Sequence, residues 1–252
     1  MSFNIVRKEV DGSHFYYIDG EFFPSVTRIL DLSAPKEYGL LNFFKQNTPE
    51  EIEERSSKAK ENGTAVHDAC EKLLNGIEIS LVDYPMPAKK AIMSFYDWYN
   101  TVRPTSLLTE HTIASVKFKY AGTCDLVCTI DGKRCLIDFK TNKGAIYYSN
   151  KLQVMAYKQA YEETTGEKID ECWILRLGTT HKAGYEYKKV DDVTIDNFMN
   201  VYNIYLNMNG GKIEEPPMID VYPDSLKLDL ITKEIPAFEG TKEMLDNLTI
   251  KK

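Results

Sequence analysis

The chain has 252 residues, 43% hydrophobic and 27% charged, with 31 Lys and Arg against 38 Asp and Glu for a net charge of −7. That balance suits a folded chain with a substantial core and excludes wholesale disorder. An acidic chain does not coat nucleic acid through global charge, and no apolar run approaches the ~20 residues of a bilayer span. Five cysteines, Cys70, Cys124, Cys128, Cys135 and Cys172, lack C-x-x-C spacing, which argues against a disulfide scaffold and a zinc ribbon. Residues 1–8 carry no apolar signal stretch, so a cytoplasmic location is expected, that of the host if the chain is phage-encoded.

In chain order, Asn4–Val10 and His14–Ile18 flank Asp11-Gly12 and read as a β-hairpin; a second Asp-Gly follows at 19–20. Val26, Ile29 and Leu30, then Leu40, Leu41, Phe43 and Phe44, fall at helical spacing. Thr48-Pro49-Glu50-Glu51 predicts a helix start with a capping box. Asn62-Gly63-Thr64 interrupts or tightens that helix, and an apolar stripe at Val66, Cys70, Leu73 and Leu74 runs to Asn75-Gly76. Residues 87–102 predict an amphipathic helix bearing Ile92, Phe95, Tyr96 and Tyr99. The period changes to two over 107–140, a β meander. A helix over 147–164, strands over 171–177 and 185–190, and a helix over 192–209 follow. The last ~40 residues, with four prolines, predict an irregular arm. The fold class is mixed α/β, a mostly antiparallel central meander flanked by helices. It is read as one domain: hairpin and helices over 1–105, a core over 106–190, and a helix and arm over 191–252.

The most informative segment surrounds Asp131-Gly132. If those two residues form a type I′ turn, Ile130 pairs with Lys133, and Asp125 falls opposite Asp138 in a non-hydrogen-bonded pair. Lys140 lies two residues beyond Asp138 on the same face. The other face carries Leu126, Cys128 and Ile130 against Cys135, Ile137 and Phe139 and must pack on helices. Like charges directly opposite destabilise a hairpin, and a divalent cation is the natural neutraliser. The same pattern also fits surface aspartates flanking a turn, with Lys140 as their ion-pair partner. Cys128 opposite Cys135 reads as two reduced core residues. His67 sits just off a helical apolar stripe, alone an ordinary half-buried histidine. Glu110 lies on the strand that opens the meander, and Gln153 and Tyr157 share a helix face that Tyr161 extends. Residues 111–160 hold eight Lys and Arg, including Lys143 and Lys151, against three Asp, a local surplus of five positive charges. Tyr147, Tyr148, Tyr157 and Tyr161 offer stacking surfaces for single-stranded bases or else pack.

Taken in order, Gly63-x-x-x-His67, Glu110, Gly122-Thr123-Cys124-Asp125, Asp138-Phe139-Lys140 and Gln153-x-x-x-Tyr157 resemble the RecB-type nuclease branch of the PD-(D/E)xK superfamily. Phe23-Pro24-Ser25-Val26-Thr27-Arg28-Ile29-Leu30 is similar to a segment of the mitochondrial genome maintenance exonucleases and related phage exonucleases. The resemblance spans roughly residues 15–190. It implies a restriction-endonuclease-like core with an N-terminal helical elaboration. It also implies a metal-dependent DNA exonuclease that hydrolyses phosphodiester bonds from free ends of single-stranded or processed DNA, in replication, recombination or repair. Structure-specific or restriction-type cleavage and noncatalytic binding remain alternatives. The implied metal, Mg²⁺ or Mn²⁺, takes His67, Asp125, Asp138 and the Phe139 backbone carbonyl. Lys140 is the implied catalytic lysine, acting with Asp125 and Asp138, and Glu110 supports them. Gln153, Tyr157, Lys143, Lys151, Ser25 and Thr27 are expected to contact DNA. Relatives that carry an iron–sulfur cluster place one Cys upstream and three near the C-terminus. This chain does not, so no cluster is expected.

Overall fold

The computed structural model describes residues 3–10, 13–142, 144–208 and 210–213. All the elements fall within the unit Met1–Pro217. The predicted arm, and with it Pro216, Pro217, Pro223 and Pro236, lies outside the described residues.

Strands β1 (Ile5–Val10), β2 (Ser13–Ile18) and β3 (Glu21–Phe23) form an antiparallel sheet in that order. Val10 pairs with Ser13, so the hairpin register is the expected one, although Asp11 and Gly12 lie outside the described residues. Asp19 and Gly20 turn β2 into β3 with φ of 50° and 87°, the paired left-handed geometry of a type I′ turn.

Helices α1 (Val26–Ser33) and α2 (Tyr38–Gln46) follow. Helix α3 (Pro49–Leu74) begins with both hydrogen bonds of the Thr48/Glu51 capping box. The expected interruption at Asn62-Gly63-Thr64 is absent: one helix of 26 residues runs through it. A mid-helix glycine costs about 1 kcal/mol against alanine. Here it permits a close approach, since a Cβ on Gly63 would lie 3.2 Å from Thr141 Oγ1. Helix α4 (Met86–Val102) buries Ile92, Phe95 and Trp98. Tyr96, expected on this stripe, is 53% exposed because the buried face is centred on the Ala91–Trp98 side.

The main sheet has the order β4 (Thr105–Ser115), β5 (Tyr120–Ile130), β6 (Lys133–Lys140), β7 (Glu171–Leu177), β8 (Tyr185–Lys189). Its pairs are antiparallel except β6–β7, which is parallel and joined through α5 (Tyr148–Thr165). Asp131-Gly132 is the predicted turn, and Ile130–Lys133 through Leu126–Ile137 pair in the predicted register.

Both faces of this sheet are covered. Leu126, Cys128, Cys135 and Ile137 pack under α3 and α4 with Val66, Cys70, Phe95 and Trp98. Val127 and Leu136 pack under α1, α5 and α6 (Ile195–Met208) with Leu152, Ala160 and Phe198. The face expected to stand apart from the greasy one is therefore greasy too. Cys128 and Cys135 are paired, buried, free thiols.

Candidate metal centre

Alternation along β5 slips at Asp125. Cys124 packs with Val127 on the α5 side, whereas Leu126, of the same parity as Cys124, packs on the α3 side. Across the ladder, Glu110 of β4 has a φ of 44°, and the recorded pairing passes from Thr109–Leu126 to His111–Cys124. A left-handed non-glycine residue in a strand is the mark of a local irregularity that re-aims side chains. Asp125 and Asp138 thus do not form the simple same-face pair that the turn register suggested.

Asp125 reaches α3 instead, with its Oδ1 3.1 Å from His67 Nδ1. Its Oδ2 accepts the Phe139 backbone N–H at 2.6 Å. Phe139 stacks edgewise on Phe95 and lies beside the His67 ring. One ligand atom each from His67, Glu110 and Asp125 lie within 4.8 Å of one another. Glu110, expected to support the site, is a full member of this trio, while Asp138 stands beside it. Asp138 is buried, with its Oδ2 2.6 Å from Lys140 Nζ. Lys140 donates to Gln153 Oε1 at 3.1 Å, and Gln153 Nε2 donates to Tyr157 Oη at 2.9 Å. The predicted helix face thus meets the predicted lysine through one continuous chain of contacts.

The electrostatics separate the two aspartates. Burial opposes charge on Asp125, but His67, Lys140 and the Phe139 N–H outweigh it and hold the carboxyl below its usual value. Burial pushes Asp138 up to about 6 despite Lys140, with the Asp125 charge adding to the rise. Burial pulls His67 down, yet the Asp125 charge and hydrogen bond prevail and raise it. Burial, then Asp125, raise Glu110. Two carboxylates and an imidazole gathered this closely could hold a metal ion. Ligands about 2.1 Å from a small divalent ion are ~3 to ~4.2 Å apart, a spacing the trio approaches. A nitrogen donor favours Mn²⁺ over Mg²⁺.

Other expected residues lie elsewhere. Ser25 Oγ caps α1 by accepting the Arg28 N–H and is 3.0 Å from Thr27 Oγ1. Both line a cavity whose wall includes none of His67, Glu110, Asp125 and Asp138. Lys151 is held by Asp192 and is not part of the cluster. Lys143 lies outside the described residues. Tyr157 and Tyr161 are buried among α5 and β4 neighbours, so their rings pack and are not stacking platforms. A Cβ on Gly122 would meet Tyr157 Cε1 at 2.5 Å, which explains the glycine in Gly122-Thr123-Cys124-Asp125.

Two arginines escaped the sequence reading. Arg7 of β1 lies 3.4 Å from Glu110 Oε2 and 3.3 Å from Thr123 Oγ1, and its Nη2 is 3.0 Å from His14 Nε2. Arg176 pairs in register with Lys140, donates to Glu186 and ties down the Asn142 carbonyl just beyond the lysine. Arg7 carried no local signal, since Glu110 is 103 positions away. For Arg176, an arginine inside an apolar strand was the available clue.

No helix among the described residues is long and apolar enough to cross a membrane. No family model matches the chain, and no curated protein matches it significantly. Among solved structures, the chain is similar to a protein from Eubacterium rectale provisionally described as an exonuclease, with a TM-score of 0.45 and 14% identity over 76% of this chain and 83% of that one. It is also similar to the protein SSO0001, with a TM-score of 0.31 and 14% identity over 57% of this chain and 74% of the other.

Proposed function

We propose that the chain is a metal-dependent deoxyribonuclease that hydrolyses phosphodiester bonds from free DNA ends. One juxtaposition carries this reading: the His67–Glu110–Asp125 trio next to a lysine fixed by Asp138 and Gln153. His67, Glu110 and Asp125 would hold Mg²⁺ or Mn²⁺, and Asp138 and the Phe139 carbonyl, on the strand whose Phe139 N–H donates to Asp125, are the further candidate oxygen donors. An ion held there lowers the pKa of a bound water and polarises a phosphate oxygen.

The chain's own groups supply the rest. Lys140 brings a positive charge to the edge of the trio, where it can orient a water and neutralise charge developing on phosphate. Asp138 and Gln153 fix the ammonium, and Tyr157 fixes Gln153. Arg7 steadies the Glu110 carboxylate. A noncatalytic binding module has no need to gather carboxylates where phosphates must approach, because like charge weakens that approach.

The deciding experiment is cleavage of end-labelled single- and double-stranded linear DNA, and of a covalently closed circle, with Mg²⁺ or Mn²⁺ and with EDTA. Metal-dependent loss of the linear substrates with the circle intact is expected. Cutting of the circle would make the chain an endonuclease, and no metal-dependent cleavage of any substrate would overturn the reading.

A further inference from the structure

Two cations border the His67–Glu110–Asp125 trio, and they are held differently. Lys140 is fixed twice, 2.6 Å from the Asp138 carboxylate and 3.1 Å from Gln153 Oε1. Arg7 arrives from the N-terminal sheet and is held more loosely. Its Nη1 lies 3.4 Å from Glu110 Oε2 and 3.3 Å from Thr123 Oγ1, both long for a hydrogen bond. Its Nη2 is closer to a partner, 3.0 Å from His14 Nε2. The guanidinium is thus anchored at one nitrogen and weakly placed at the other, with 28% of the side chain exposed.

Glu110 is at once a donor of the trio and the ion-pair partner of Arg7. Those two roles compete. Once its carboxylate serves a divalent ion, Arg7 faces a like charge across it, and the old contact becomes unfavourable. Arg7 cannot shed its proton to escape, because a guanidinium stays charged in proteins. It needs another anion. A phosphate oxygen on the same ion as Glu110 would lie ~3 to ~4.2 Å from the carboxylate oxygen. That is close to where Arg7 already stands, 3.4 Å from Glu110. A guanidinium fork also suits phosphate, which it binds through two parallel N–H groups.

We infer that Arg7 is an exchangeable substrate contact: it neutralises Glu110 in the metal-free chain and passes to a DNA phosphate once Glu110 serves the ion. The inference rests on the nuclease reading and adds an order of events to it, metal first and the full grip on DNA second.

The test places Arg7→Met and Arg7→Lys in the slowly cleaving Lys140→Ala chain. Binding of a labelled oligothymidylate of about twelve residues is measured in Mn²⁺ and in EDTA. In Mn²⁺, Arg7→Met should weaken binding about tenfold, the loss of one charge-assisted hydrogen bond. It should also lower the slope of log affinity against log salt by about 0.7, one phosphate contact. In EDTA it should change neither. Arg7→Lys should keep the salt slope and recover part of the affinity, since an ammonium is a point charge and not a fork. If Arg7→Met does not fold, Arg7→Lys carries the same test: its affinity loss must appear in Mn²⁺ and not in EDTA. Without DNA, calorimetric Mn²⁺ affinity should rise in Arg7→Met, because a competing cation has gone. A merely structural tie between the two sheets gives the reverse: weaker Mn²⁺ binding, and a DNA effect equal in Mn²⁺ and EDTA. Either result overturns the exchange, and Mn²⁺-dependent cleavage by the wild-type chain would still leave the nuclease reading standing. A wild-type chain that neither cleaves DNA nor binds Mn²⁺ removes both.

Discussion

Asp125 and Lys140 lie in one site but hold different things, and substitution separates them. Asp125 has both oxygens committed, to His67 and to the Phe139 N–H, and offers the trio its anionic charge. Asp125→Asn keeps the shape but loses that charge. Calorimetric Mn²⁺ binding should disappear, and cleavage should fall by at least a hundredfold, on the order of an electrostatic catalytic group. Lys140 has no lone pair for a metal at neutral pH. Lys140→Ala should lose a comparable factor in cleavage while binding Mn²⁺ within a few-fold of wild type. Loss of metal binding in that variant would mean that Lys140 builds the site and does not act on the substrate. Gly122 poses a packing question instead. With a Cβ facing Tyr157 Cε1 at 2.5 Å, Gly122→Ala must move a buried ring that also anchors Gln153. A cost of about 1–3 kcal/mol is expected in denaturant melts. Tyr157→Phe leaves the ring and removes one hydrogen bond, for about 1 kcal/mol. Equal, negligible losses in both would detach this helix face from the lysine.

At the scale of elements, the β6–β7–β8 edge is joined by charge. Glu171 begins β7 and receives Lys133 from β6 and Lys189 from β8 at 2.7 and 2.8 Å. The two lysines pull its carboxyl down to about 2. A depressed acid stabilises the fold above its unfolded pKa, near 4.5, and loses that contribution as pH falls toward 2. Glu171→Gln should therefore be less stable than wild type at pH 7, and the two stabilities should converge as pH drops through that window. A difference independent of pH would assign the effect to packing. This edge was readable as strands, but its ion pairs were not, because the partners come from three strands. The same rule divides the rest. Asp131-Gly132 fixes a two-residue turn, so five pairs of the β5–β6 ladder and the placing of Asp125 near Asp138 followed from local sequence. The apolar stripe put His67 on the correct side of α3. The slip at Asp125 and the left-handed Glu110 arise where β4 pairs with β5, Asp125 meets His67 across 58 positions and Glu110 meets Arg7 across 103, and no short window of sequence contains these contacts. Gly63 misled for a related reason: it reads as a break by propensity, whereas α3 runs through it and Thr141 packs close to where a Cβ would lie.

At the scale of the whole molecule, the trio draws on separate layers. His67 comes from α3, Glu110 from β4 and Asp125 from β5, with Arg7 reaching in from the N-terminal sheet. The ligand atoms come together only when α3 packs on the main sheet, so an ion bound by all three favours the folded chain over the unfolded one. Binding to the native state alone adds RT ln(1 + [L]/Kd), about 2.7 kcal/mol at a hundred times Kd. For a chain of this size, 1 kcal/mol shifts the midpoint by about 2–4 °C, so saturating Mn²⁺ should raise the melting temperature by about 5–10 °C. Metal binding to the unfolded chain would shrink this figure without changing its sign. The rise should vanish in Asp125→Asn and survive in Lys140→Ala, because the first change removes a donor and the second does not. It should also survive in Arg28→Ala/Lys60→Ala, two residues that line the same cavity as Ser25 and Thr27, whose wall includes none of the trio. A rise of equal size in Asp125→Asn would place the ion elsewhere on the molecule, and the trio would then be an ion-pair network that holds α3 to the sheet.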